Sequence, residues 1–285
     1  MTEIANDKMV LKTAWINALK TFAKILVSVL LVFCFLLSVL FLMAPKADAK
    51  IFEFFGLKKA EESCYIRIYE RSQAEEDLYN LIMFESKEGE TLKQLQYINM
   101  LLSDGDYEEF CIRFNNSAVV SLMNEKGKIE KKNMVAHVCN INSYLLNQKV
   151  NCMVNLGFEN ENVWNFIASN LEKVDIFEYS ITTYLNLIET NTSISNEKAK
   201  QLTKDMLSYE KNSKTIETLL NERIDDVETY LLNANLPDVG RIIALNTMVN
   251  LRLADYRIDV LLGDDSTASK DAYVEAFNSY KIAVG

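Results

Sequence analysis

His137 is the only histidine in the chain, and Cys139 stands two residues from it. Two residues are about 200° apart on a helix, so imidazole and thiol face opposite sides and make no local nucleophile–base pair. The five cysteines are Cys34, Cys64, Cys111, Cys139 and Cys152. They form no C-x-x-C pair, and one histidine does not complete a usual zinc set. Within the body Cys64, Cys111, Cys139 and Cys152 sit among apolar residues, as buried free thiols do, with disulfides among the four as the alternative for a body outside the cytoplasm. Adjacent acids occur at Glu61-Glu62, Glu75-Glu76-Asp77, Glu108-Glu109 and Asp225-Asp226. A glycosidase needs two carboxylates at a set separation across a cleft, and these pairs read instead as solvated helix faces. Asp104-Gly105-Asp106 lacks the glycine of a calcium loop. Asp264 to Glu275 has the outer spacing of one, but Ala268 and Ser269 stand where a ligand and the glycine belong. There is no glycine-rich phosphate loop. The residues point to no catalytic group, no cofactor and no metal. A non-catalytic chain is expected, with an all-helical envelope hydrolase using acidic groups as the chemical alternative.

Aromatic side chains are the remaining lead. Tyr69, Tyr79, Tyr97, Tyr107 and Phe114 cluster in the first half of the body, beside Tyr65 and Phe110. Rings supply contact area at low entropy cost, so the first five are candidates for binding a protein or peptide partner.

The elements that would hold them are helices. Two prolines and eight glycines in 285 residues leave few breaks. The chain divides into a basic amphipathic segment (1–24), an apolar helix (25–44), a helical repeat-like domain (45–190) and a long helical hairpin with a terminal helix (191–285). The run from Ile25 to Met43 is broken only by Ser28 and Ser38 and carries no charge. About 20 such residues cross the ~30 Å hydrocarbon layer of a bilayer. Trp15 and Phe22 precede it on the apolar face of an amphipathic stretch, and Ile25, Leu30, Phe35, Leu40 and Met43 continue the anchor. Residues 10–44 are thus expected to meet membrane lipid. Lys8, Lys12, Lys20 and Lys24 before the span balance Lys46, Lys50, Lys58 and Lys59 after it. The short basic tail and the acidic body favour the N-terminus inside and the body outside the cytoplasm. Ala47-Asp48-Ala49 has the form a signal peptidase accepts, so cleavage after Ala49 is the alternative to an uncleaved anchor. Residues 50–285 hold 25 basic and 37 acidic side chains, which excludes a phosphate-binding face and hence nucleic acid as a partner.

Helical periodicity marks Glu61 to about Ser86, Glu88–Leu102, Lys131–Leu156 with Gly157 closing it, Val163–Leu187 and Ala272–Ile282. Ser195 reads as an N-cap, with Glu197 in the first turn. Positions 199, 202, 206, 209, 213, 216, 220, 223, 227 and 230 keep a 3-4 spacing and are mostly apolar. Beyond Leu236-Pro237-Asp238 the spacing resumes to Gly263. Two long helices about one proline predict an antiparallel hairpin, and a homo-oligomer assembled through the 199–260 heptads is the rival.

Leu101-Leu102-Ser103-Asp104-Gly105-Asp106-Tyr107-Glu108-Glu109-Phe110 resembles the Gly-Asp-Tyr-x-x-Ala turn of tetratricopeptide repeats, with Phe110 at the small-residue position. Phe55-Gly56-Leu57-Lys58-Lys59-Ala60-Glu61-Glu62 is similar but one residue short. The resemblance covers residues 47–120 and lacks the regular 34-residue period. It implies stacked helix pairs whose curved surface binds a peptide or protein. The expected whole is an all-α, membrane-anchored scaffold or adaptor at the bacterial cell envelope.

Overall fold

The computed structural model describes residues 15, 19–36, 38, 45–107, 109–111, 140–173, 180–233, 235–236 and 238–284. These residues are all-α apart from one short antiparallel pairing. They form two compact units, Met1–Leu81 and Ile82–Gly285.

In the first unit, α1 is described over Leu19–Leu36, long and apolar enough to cross a membrane, with none of these residues buried. It begins before Ile25 and takes in Leu19 to Lys24, the end of the amphipathic segment. After it come α2 (Pro45–Phe54) and α3 (Lys58–Ser72), which pack on each other. Helix α4 (Glu75–Glu88) starts in this unit and crosses into the next. Pro45, Asp48 and Ala49 of α2 and Glu61, Cys64 and Ile68 of α3 are buried. The single helix expected from Glu61 to Ser86 is therefore two. Gln73 takes a left-handed φ of +51°, and its N–H donates to Tyr69 O at 2.7 Å. Its amide donates to Glu70 O at 3.0 Å, and Ala74 N–H donates to Ser72 Oγ at 3.1 Å. Polar side chains here stop a helix with neither proline nor glycine.

The second unit holds α5 (Thr91–Leu102), α6 (Asn140–Asn155), α7 (Asn160–Glu172), α8 (Ile181–Thr190), α9 (Asn196–Ser208), β1 (Glu210–Lys211), β2 (Lys214–Thr215), α10 (Ile216–Leu231), α11 (Asp238–Leu262) and α12 (Thr267–Val284). Helix α11 is its axis: α8, α9, α10 and α12 all pack against it. Its inward residues Ile242, Ala244, Leu251 and Ala254 are fully covered. Small alanines among larger aliphatics let four neighbours approach one helix. On the other side α5 packs on α6, and α6 on α7 and α8. Gln94 of α5 donates to Gln148 at 3.3 Å, and the Cys152 thiol donates to Gln94 at 3.4 Å.

Two further helices expected from periodicity divide. Val163–Leu187 is α7 and α8, because Lys173 turns to an extended backbone (φ −80°, ψ 106°) after Glu172. The run from 199 to 230 is α9, a β-turn and α10. Asn212 and Ser213 both take positive φ, +49° and +66°, the requirement of the two-residue turn that matches strand twist. Glu210 pairs with Thr215 and Lys211 with Lys214. Thr215 then caps α10, accepting from Thr218 N–H at 3.1 Å. Residues 131–139 of the expected Lys131–Leu156 helix lie outside the described residues, as do His137, Cys139 and Pro237.

Candidate functional site

The second unit contains a half-open groove of about 470 Å³. It lies where the end of α8, the start of α9 and the end of α11 meet, lined by Ile188, Ile194, Ala199, Val260, Leu261 and Leu262. Glu189, Asn196, Glu197 and Lys200 form its polar rim.

Local chemistry sets each wall. The loop between α8 and α9 is held by Asn191, whose Oδ1 accepts Ser193 N–H at 2.9 Å and whose carbonyl accepts Ile194 N–H at 3.0 Å. That closed turn turns Ile194 toward the groove. Ser195 starts α9 by accepting Lys198 N–H at 3.2 Å, the expected N-cap. Helix α11 ends at Gly263, where φ is +72°. Asp264 N–H donates to Asp259 O at 2.9 Å and Gly263 N–H to Val260 O at 3.2 Å, the paired bonds of a left-handed helix stop. A Cβ at 263 would stand an ordinary 3.7 Å from Lys200 Nζ. The backbone angle, and not the space, calls for glycine. On the rim, Glu189 pairs with Arg257 at 3.5 Å.

This arrangement offers aliphatic contact area, two carboxylates and one ammonium group. It suits an apolar side chain or short segment, and with Glu189 already met by Arg257, Glu197 is the carboxylate left to face a basic neighbour.

The first unit contains a different feature, a buried polar set on α2 and α3. Asp48, Glu61 and Cys64 are withdrawn from solvent. This departs from the solvated face expected for Glu61. Burial raises the Asp48 carboxyl above its ordinary range, and the nearby Arg67 guanidinium opposes it. Asp48 Oδ2 has no hydrogen-bond partner. Burial also raises the Cys64 thiol, and the charges of Asp48 and Glu61 push the same way against Arg67. A thiol so held stays protonated and is a poor nucleophile. Asp77, at the start of α4, is also buried and meets Lys46 of α2 at 3.7 Å.

The aromatic candidates fall in both units. Tyr69 lies on α3 and Tyr79 on α4 in the first, each half-buried. Tyr97 lies on α5 and Tyr107 just beyond it in the second, also half-buried. The Tyr107 hydroxyl donates to Asn142 Oδ1 at 2.6 Å, tying α6 to the chain after α5. Burial raises its phenol well above the usual range, followed by the charge and hydrogen bond of Cys111. Phe114 lies outside the described residues. Of the anchor residues, Trp15, Phe22, Ile25, Leu30 and Phe35 are exposed, while Leu40 and Met43 lie outside the described residues.

No family model matches the chain, and neither a curated protein nor a solved structure matches it. Packed helix pairs such as α2–α3 and α11–α12 are compatible with a helical-repeat arrangement.

None of the groove residues stood out in the sequence as binding residues. Ser195 and Gly263 were legible as helix ends. That these two ends converge is a property of the packing around α11.

Proposed function

We propose that the chain is a membrane-tethered helical adaptor with no catalytic step, taking a protein or peptide partner at the bacterial cell envelope. The observation that carries this reading is the aliphatic groove at the meeting of α8, α9 and α11. Its occupant is an apolar peptide segment flanked by lysine or arginine. The basic flank answers Glu197 and a body in which residues 60–285 hold 22 basic against 36 acidic side chains. Tyr69, Tyr79, Tyr97 and Tyr107 are held as a secondary set of contacts.

The apolar α1 serves as an uncleaved anchor, with the N-terminus inside and the body outside the cytoplasm. Retention is supported by Ala49, which lies in the middle of α2 and is 4% exposed. A cut after it would divide that helix and remove three of its buried residues, Pro45, Asp48 and Ala49. Assembly of a homo-oligomer through the 199–260 heptads is less well supported. Leu202 and Leu220, which would form such a seam, are buried within the protomer.

The test uses the full-length chain in lipid nanodiscs and fluorescent peptides with a leucine or phenylalanine anchor. One set carries lysine flanks and the other glutamate flanks. Val260 is 44% exposed on the groove wall, so Val260→Arg fills the groove with charge without disturbing the core. Lysine-flanked peptides should bind the wild type and lose at least about tenfold, ~1.4 kcal/mol, on Val260→Arg. Glu197→Lys should reverse the flank preference. Equal affinity of Val260→Arg and wild type, with unchanged far-ultraviolet dichroism, would remove the groove from the function.

A further inference from the structure

The hairpin between α2 and α3 ends in an apolar tip. Phe54 is 84% exposed, Phe55 66% and Leu57 52%. The two rings lie edge to face with centroids 5.2 Å apart. Gly56, at φ +67°, makes the turn, with Leu57 N–H donating to Phe52 O at 2.9 Å and Gly56 N–H to Glu53 O at 3.0 Å. These bonds close the end of α2 and leave both rings in solvent. Lys50, Lys58 and Lys59 flank it in the chain, all exposed, with Glu53 exposed between them. Lys46, Lys50 and Phe54 recur every fourth residue on α2, so they share its outward face, away from buried Pro45, Asp48 and Ala49.

We infer that this tip is a second membrane contact: Phe54, Phe55 and Leu57 enter the headgroup boundary of the bilayer that holds α1, and Lys50, Lys58 and Lys59 bind anionic lipid around them. The inference rests on α1 lying in a bilayer. Three observations select lipid as the occupant. The first is reach. Helix α2 starts two residues after Met43, where the apolar run ends, and has 10 residues. At 1.5 Å per residue it rises about 15 Å, so the tip stays within about 25 Å of the bilayer edge at any tilt. The second is charge. Residues 1–59 hold eight lysines and four acids, while residues 60–285 are strongly acidic. The basic part of the chain thus ends at the tip, and the part beyond is repelled by anionic lipid. The third is composition: bulky rings flanked by three lysines and one acid, Glu53, are a mixture that partitions into the interface, rings in the acyl boundary and ammonium groups among phosphates.

Bromolipid quenching of tryptophan tests this in the full chain. The native tryptophans are Trp15 and Trp164, and Trp164 is buried in α7. Three proteins are reconstituted: wild type, Trp15→Phe, and Trp15→Phe with Phe54→Trp. The vesicles are phosphatidylcholine with phosphatidylglycerol, the phosphatidylcholine brominated near the headgroup end of its chains. Wild type minus Trp15→Phe reports the amphipathic segment that leads into the apolar run, and the difference between the two Trp15→Phe proteins reports the tip. The expected result is that both differences lose most of their emission in brominated vesicles, with the tip emission shifted to the blue. Replacing Lys50, Lys58 and Lys59 by glutamine should reduce tip quenching in the anionic vesicles to the level in pure phosphatidylcholine. Quenching at Trp15 with none at position 54 overturns the inference and assigns the tip to a protein partner. Quenching at neither position overturns the anchored reading itself. Tip quenching that is the same with and without anionic lipid overturns the role of the lysines.

Discussion

The turn at Asn212-Ser213 gives the sharpest test of the fold, because the two possible backbones predict opposite signs for one substitution. Ser213 is exposed and sits at φ +66°. A left-handed backbone costs an L-residue about 1–2 kcal/mol. Glycine escapes this cost but loses more freedom on folding, about 0.5–1 kcal/mol. Ser213→Gly should therefore stabilise the protein by about 0.5–1 kcal/mol, and it creates the Asn-Gly pair that this turn favours. Ser213→Ala should be neutral or slightly destabilising. Were residues 199–230 one helix, position 213 would be an exposed helix interior. Glycine there would cost about 0.5 kcal/mol relative to serine, and alanine would gain a similar amount. The turn is held from outside as well: Asn212 Nδ2 donates to Glu172 Oε1 of α7 at 2.8 Å, and Lys214 meets Glu222 at 2.8 Å. Thermal unfolding of the full-length chain, followed by far-ultraviolet dichroism in detergent, reads the difference. A rise of about 1–4 °C for Ser213→Gly is expected for a domain of this size. A fall for glycine together with a rise for alanine would refute the turn and restore the continuous helix.

Two other outcomes follow from burial and charge. Asp255 of α11 is held above the ordinary carboxyl value of 3.8 by burial and then by Asp259, with Arg252 opposing. On raising the pH, the unfolded chain loses this proton first, so the carboxyl lowers stability between 3.8 and its raised folded value and contributes no slope above that. Asp255→Asn should remove that part of the acid limb in urea unfolding and leave the protein at least as stable at neutral pH; a less stable variant with an unchanged pH profile would contradict the assignment. Cys152 is buried and its thiol is pushed up to about 11 by burial, and Cys64 is raised in the same direction. In intact cells, a membrane-impermeant thiol reagent should label Leu232→Cys, at an exposed position, while Cys64 and Cys152 react only after denaturation; labelling of Leu232→Cys only after lysis would place the body in the cytoplasm.

The helical class, the apolar α1 and several helix ends were legible in the chain itself. They depend on interactions within a few residues: scarce proline and glycine, one long uncharged run, a serine accepting from the amide three residues on, a glycine tolerating positive φ. The breaks at Gln73, Lys173 and Asn212-Ser213 were not legible. A turn can reverse the chain and still leave the apolar spacing in phase. Leu202 and Met206 before the turn and Ile216 and Leu220 after it are all buried. Arg223, polar within that run, is also buried, with its charge met by Asp226 at 2.9 Å. Spacing records which residues seek the interior but carries no sign of chain direction between them.

The groove shows the same division. Ser195 and Gly263 are ends that the sequence marks. The volume between them exists because α8, α9 and α11 pack side by side, bringing together Ile188, Ala199 and Leu262 from three helices. Likewise Glu61 read as a solvated acid and Asp48 as the middle of a cleavage motif, and only the closure of α2 on α3 takes them from water. Local sequence determined the type of backbone and the place of the apolar helix, because short-range hydrogen bonding and hydrophobicity suffice for both. Burial, charge state and concavity were decided by tertiary packing, because each depends on residues distant in the chain occupying the same space.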